Sequence, residues 1–278
     1  MPSRKDLPFL LQLLDDETPA VRTQVSRELR AFGADLKAWT EPMRHQLNAA
    51  QHEALDEILA ASPAQPEGLQ WLDAADASAL EQGLISLNRL YASQEESLSL
   101  SQQLDDLALH FQRCYPRSGS GELIRFLFND LSFEGIDEAW LSYEHHQLGY
   151  LLERREGSPV VLASLATLLG HRLHIPIYTV HIQGHFMIMG LDHGGVRIYD
   201  PLQQGRSLPR ASAIFMEESL RRDLTWPREM QVPASQVVMQ ILQDSVKNLK
   251  HSGRSDKADD FLQYQHVLFQ EIKRRGGA

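Results

Sequence analysis

The sequence predicts an α+β fold that is mainly helical, with a buried helix and a small antiparallel sheet at its centre and helical extensions on both sides. Three observations predict it. Apolar residues recur at helical spacing as far as Phe111; the period switches to two between Ile177 and Asp200; helical spacing returns after Val237.

At the start, Leu7, Leu10, Leu11 and Leu14 fall on one helical face, and Asp15 to Pro19 break the pattern. Val21, Val25, Leu29 and Phe32 resume it, with Gly33 as the expected C-terminal cap. Ser62 to Gly68 is rich in residues that end helices and reads as a linker. Helices are expected over 70–113, marked by Leu80, Leu84, Leu87 and Leu90 and then by Leu100, Leu104, Leu107 and Phe111. Arg117 to Gly121 reads as a loop, Leu123 to Leu131 as an apolar helix, and Leu148 to Arg155 as a short one.

Gly157-Ser158-Pro159 opens the most apolar helix, Val160 to Leu173, with Ser158 suited to N-cap and Pro159 to the first helical position. Three strands follow: Ile177–Ile182, His185–Met189 and Val196–Asp200, with a turn at Asp192 to Gly195. The tail gives two helices, Val238 to Leu249 and Lys257 to Ile272, hinged at Ser252-Gly253. Domains are expected at 1–62, 68–225 and 226–278.

Composition narrows the function classes. The chain has 278 residues, 42% hydrophobic and 23% charged, as in an ordinary globular protein. Its formal net charge of -10 argues against a nucleic-acid or anionic-membrane partner. One cysteine, Cys114, builds neither a disulfide framework nor a cysteine-rich zinc site and fits a reducing compartment. Asp15 and Asp16 follow the apolar start at once, unlike a secretory signal, and no run approaches the ~20 apolar residues of a membrane span. A cytoplasmic protein is expected.

The order helix start, strand, strand suits cysteine-dependent acyl transfer. That chemistry needs a thiol at a helix N-terminus, a histidine on a facing strand and an acid or amide fixing the imidazole. His185 opens one strand and Asp200 closes the next. The stretch GSPVVLASLATLLGHRLHIPIYTVHIQGHFMIMGLDHGGVRIYDP resembles the transglutaminase-like (papain-like) core. Leu148 to Pro159, then Gln183-Gly184-His185-Phe186, then Asp200 to Gly205 are similar to the SirB-type bacterial branch, as is Phe126 to Gly135 upstream. The likeness covers about residues 80–210. Lesser likenesses flank it: LLQLLDDETPAVRTQVSRELRAFG resembles one HEAT-type repeat, and the tail a tetratricopeptide-like pair. Neither forms an array.

The active enzymes carry glycine, one residue, cysteine, three residues, alanine, and later a proline. Here Gly157, Ala163 and Pro176 take those places, and Pro159 stands where the cysteine would. The resemblance therefore implies a remnant dyad, His185 and Asp200, without its nucleophile. A hydrogen-bonded His185–Asp200 pair is expected as structural retention, and Gly157, Ser158, Pro159, Gln183 and Gly184 as the rim of a binding cleft. The resulting reading is a catalytically inactive scaffold for a protein or peptide, with no cofactor and no metal. The alternative is a hydrolase or acyltransferase with Ser158 or Ser164 as its hydroxyl. Cys114 is expected to be partly buried and inert, and Phe133, Trp140 and Tyr143 to pack over the core. The histidines, including His145 with His146 and His171 with His174, show no His-Glu-x-x-His spacing.

Overall fold

The computed structural model describes residues 6–30, 32, 35–61, 69–73, 76–91, 94–116, 119–192, 195–208 and 230–275. The expected linker Ser62 to Gly68, the cap Gly33, Arg117-Ser118 and the turn residues His193-Gly194 lie outside them. The chain divides into two compact units, Met1–Gly68 and Leu69–Ala278.

The first unit contains α1 (Leu7–Gln12), α2 (Pro19–Arg30), α3 (Asp35–Thr40) and α4 (Ala49–Ala61). Leu7, Leu10, Leu11 and Leu14 are buried with Val25, Leu29, Leu36, Leu55 and Ile58 in a core of their own. Asp15 breaks α1 and is then used: its carboxylate accepts from Asn48 Nδ2 at 2.7 Å and Gln51 Nε2 at 2.9 Å, tying the α1–α2 turn to the start of α4.

In the second unit, α5 (Asp76–Tyr91), α6 (Gln94–Cys114) and α7 (Ser120–Arg125) precede α8 (Leu148–Arg154) and α9 (Pro159–Leu173). Every residue of α9 from Val160 to Gly170 is buried, as a helix apolar on all sides must be. Ser120 and Gly121 belong to α7 rather than to a loop, because the Glu122 carboxylate accepts from Gly119 N–H and caps the helix. The chain then widens into a π turn, Phe126–Asp130, closed by Leu131 N–H on Phe126 O at 2.9 Å.

The strands β1 (Glu134–Gly135) and β2 (Glu156–Gly157) form a short parallel pair that sequence periodicity does not reveal. The main sheet runs β3 (Ile177–Ile182), β4 (His185–Asp192), β5 (Gly195–Asp200) and β6 (Arg206–Ser207), all antiparallel. Gln183 (φ 50) and Gly184 (φ 87) make the two-residue β3–β4 turn. Left-handed backbone at both positions is what the right-handed strand twist asks of so tight a hairpin.

The sheet rests on α9. Thr167 Oγ1 and Thr179 Oγ1 meet at 2.9 Å across that contact, both buried. The helices α10 (Ala234–His251) and α11 (Ser255–Arg274) complete the unit, and their apolar faces, from Val237 to Leu268, enter the same core as α9. No helix among the described residues is long and apolar enough to cross a membrane.

Candidate functional site

Three short contacts gather the residues singled out in the sequence. β2 delivers Gly157 to the start of α9, with Ile136 N–H bound to Gly157 O at 3.0 Å. On its other side Ser158 N–H binds His145 O at 2.8 Å. Gly135, paired with Gly157, lies so close to the chain after Asp200 that a Cβ on it would fall 2.5 Å from Pro201 O. The end of β5 and the start of α9 therefore flank the same two-residue strand.

Ser158 takes the N-cap position in extended backbone (φ -68, ψ 153) with Pro159 as the first helical residue, as expected. Its hydroxyl does not cap: Oγ is buried and makes no hydrogen bond. Ser164 turns inward and donates to Val160 O at 2.7 Å. Pro159 is half-buried, Gly157 is buried, and Gln183 and Gly184 are exposed at the hairpin tip.

His185 and Asp200 are not joined. His185 is exposed and shares no hydrogen bond with Asp200, whose Oδ1 instead accepts from Leu202 N–H at 2.9 Å and caps the 3₁₀ turn Pro201–Gln203. Sheet register supplies the reason. Ile188 lies opposite Tyr199, so the same register carried one step further puts Asp200 beside Met187, two residues past His185. A diagonal neighbour of this kind stands roughly 7–8 Å away, farther than a directly opposite one, and the Asp200 carboxylate turns to its own 3₁₀ turn instead. Glu138, in the 3₁₀ turn Glu138–Trp140, has its carboxyl held below its ordinary value chiefly by its hydrogen bond from Lys247, with the field of His185 the smallest of the causes and no ion pair between the two.

One of the adjacent pair His145-His146 is buried beside the start of α9. His146, in the 3₁₀ turn Tyr143–His146, is 2% exposed, and its Nε2 meets Asn248 Nδ2 of α10 at 3.0 Å. Burial first, and His145 second, push its pKa down to about 4, so the ring is neutral near pH 7. His145 takes Ser142 N–H on Nδ1 at 2.9 Å. The only sequence signal for His146 was its adjacency to His145, and adjacency does not tell which ring turns inward.

The depressed pKa has a consequence for stability. A base harder to protonate when folded stabilises the fold fully above its ordinary value of 6.5, and that contribution is lost as pH falls toward about 4. The total is on the order of 3 kcal/mol. Urea unfolding at pH 7 and pH 5 should therefore show a loss, and His146→Gln should flatten the dependence over that interval, where carboxylates contribute little.

Two further expectations are corrected. Cys114 is exposed at the end of α6 rather than partly buried. Trp140 is 80% exposed, while Phe133 is buried and Tyr143 packs on the core beneath Arg254 and Lys257, at 5.0 and 4.8 Å from the ring centre. Among the described residues no three His, Cys, Asp or Glu side chains gather as a metal site would require.

The family model described as the transglutaminase-like superfamily matches residues 98–244, more than half of the chain. A UPF0162 protein of Xylella fastidiosa strain 9a5c is 30% identical over 118 residues, which cover 42% of this chain and 40% of that protein. A UPF0162 protein of strain Temecula1 is 32% identical over 84 residues, 30% of each chain. The matched region thus spans less than half the length of either relative. No solved structure matches.

Proposed function

We propose, from the premise that this chain belongs to the transglutaminase-like superfamily, that its core is catalytically silent and serves as a protein-binding or regulatory scaffold. The observation that carries this reading is the use of the Asp200 carboxylate as a turn cap while His185 stands exposed without it. An imidazole that no acid orients is a poor general base.

Further support comes from position 159. A proline there removes the sulfur, and it also removes the backbone N–H that a nucleophile at a helix start contributes to holding an oxyanion. The hydroxyls that could replace the thiol are unsuited: Ser158 is 1% exposed and Ser164 is bonded into α9. The hydrolase alternative therefore has no reachable nucleophile among its two named hydroxyls. Within the proposal, the partner is a protein or peptide meeting Pro159, Gln183 and Gly184, the setting is cytoplasmic, and the nearest branch is the SirB-type bacterial one.

The test is acyl transfer from a glutamine-containing peptide to an amine, with wild type beside His185→Ala and Asp200→Ala. All three should give the uncatalysed rate. In unfolding, His185→Ala should stay within about 0.5 kcal/mol of wild type, as for an exposed residue without a partner. Asp200→Ala should cost about 1 kcal/mol, as a lost cap does. Turnover above background that disappears in His185→Ala would refute the proposal.

A further inference from the structure

Among the described residues, Trp140 is the most exposed large apolar side chain, at 80%. Its backbone is nonetheless fixed. The Asp137 carboxylate accepts from Ala139 N–H at 3.0 Å, and Trp140 N–H binds Asp137 O at 2.9 Å, which closes the 3₁₀ turn that ends in the indole. This turn follows β1 directly, and Ile136 N–H on Gly157 O ties it to the start of α9. Leu202, 37% exposed, is presented in the same manner. Its own 3₁₀ turn is capped by Asp200, and its Cα would lie 3.0 Å from a Cβ on Gly135. Two apolar side chains thus stand in water on capped turns that both adjoin β1.

The charge beside the indole selects the partner. Asp137 and Glu138 belong to the Trp140 turn itself. Asp244 on α10 lies within the field of Glu138: burial chiefly, and that charge to a lesser degree, raise its carboxyl. Facing these three are Lys247, ion-paired with Glu138, and His185, whose field is the smallest acting on Glu138. Arg206 stands opposite Asp200 in the sheet and offsets that carboxylate. The surface around Trp140 is therefore acidic, on a chain whose formal net charge is -10. We propose that Trp140 receives an arginine side chain from a basic segment of a partner protein, the guanidinium lying on the indole beside Asp137 and Glu138. Tryptophan is the strongest aromatic partner for a cation, and the planar, weakly hydrated guanidinium stacks on it where a lysine ammonium does not. Tryptophan and arginine are also the side chains that carry the most energy at protein interfaces. A second copy of this chain, a nucleic acid or an anionic membrane would each bring negative charge to this surface and be repelled. The inference rests on the reading of the core as a protein-binding scaffold and names the chemistry of that partner.

The test titrates a blocked peptide of alternating arginine and glycine into the full ¹⁵N-labelled chain at physiological ionic strength, with lysine–glycine and glutamate–glycine peptides beside it. The arginine peptide should shift the Trp140 indole N–H, identified among the four tryptophans by its loss in Trp140→Ala. It should bind more tightly than the lysine peptide, and the glutamate peptide should shift nothing. Trp140→Ala, a surface change, should weaken binding about tenfold. Asp137→Asn, which keeps a capping residue and removes the charge, should weaken it about threefold. An indole that the arginine peptide leaves unmoved, or equal binding by the lysine peptide, would overturn the proposal. So would full affinity in Trp140→Ala with shifts confined to Gln183 and Gly184, a result that leaves the scaffold reading standing, whereas acyl-transfer turnover would strike the scaffold reading itself.

Discussion

Gly170→Ala should destabilise the second unit by about 3 kcal/mol, even though alanine is the better helix former by about 1 kcal/mol. Gly170 lies where α9 presses on β3, and a Cβ there would fall 1.9 Å from Ile177 Cγ2 and 2.9 Å from Ile175 O. The first contact is with a buried β-branched side chain whose χ1 has little freedom, and the second is with backbone, so neither neighbour yields cheaply. The packing term therefore exceeds the propensity term. Thermal unfolding should show a drop of roughly 2–4 °C for each kcal/mol in a unit of this size. Ile177→Ala removes the clashing Cγ2, so the Gly170→Ala/Ile177→Ala double variant should lose less than the sum of the two single losses. A Gly170→Ala protein as stable as wild type would mean that α9 and β3 are not in this contact.

The second large effect is expected at Arg172, near the end of the same helix. Its guanidinium takes both Glu81 oxygens at 2.8 Å, from Nη1 and Nη2, and Asp105 Oδ1 at 2.7 Å from Nε, so one side chain fastens α9 to α5 and α6. Burial works to raise the Glu81 carboxyl, yet the bonds from Arg172 and Ser101 hold it below its ordinary value. Arg172→Leu leaves that carboxylate in place without its partner. Breaking a fully buried pair costs 3–5 kcal/mol. With side chains 15% and 18% exposed, screening reduces this to about 2 kcal/mol. Adding Glu81→Leu should restore much of the loss, because the uncompensated charge is gone. A double-mutant cycle in urea measures this directly, and a coupling near zero would show that the pair contributes nothing.

Much of this fold was legible in the sequence, for identifiable reasons. Ile177–Ile182 is rich in β-branched and aromatic residues and is bounded by Pro176 and by Gln183-Gly184, so its limits follow from local chemistry. Pro159 marks the start of α9 because only a helix's first turn accepts it there. The two-residue pair β1–β2 was not legible, since a strand of two residues has no period. Nor was the isolation of His185 from Asp200. Chain order puts them on adjacent strands, but register decides whether they stand opposite or diagonal, and register is a property of the assembled sheet. Trp140 illustrates the same limit from the surface side. Aromatic character predicts burial on average, while the 3₁₀ turn at Glu138–Trp140 turns this ring outward.

The central claim is that the start of α9 presents no reactive nucleophile, and intact-protein mass spectrometry with peptide mapping tests it most directly. The native chain would be treated in parallel with an activated acyl donor, a fluorophosphonate and iodoacetamide. No adduct is expected at Ser158 or Ser164, while exposed Cys114 takes up iodoacetamide and serves as the positive control. A stoichiometric adduct at Ser158 or Ser164, formed in wild type and lost in His185→Ala, would contradict it.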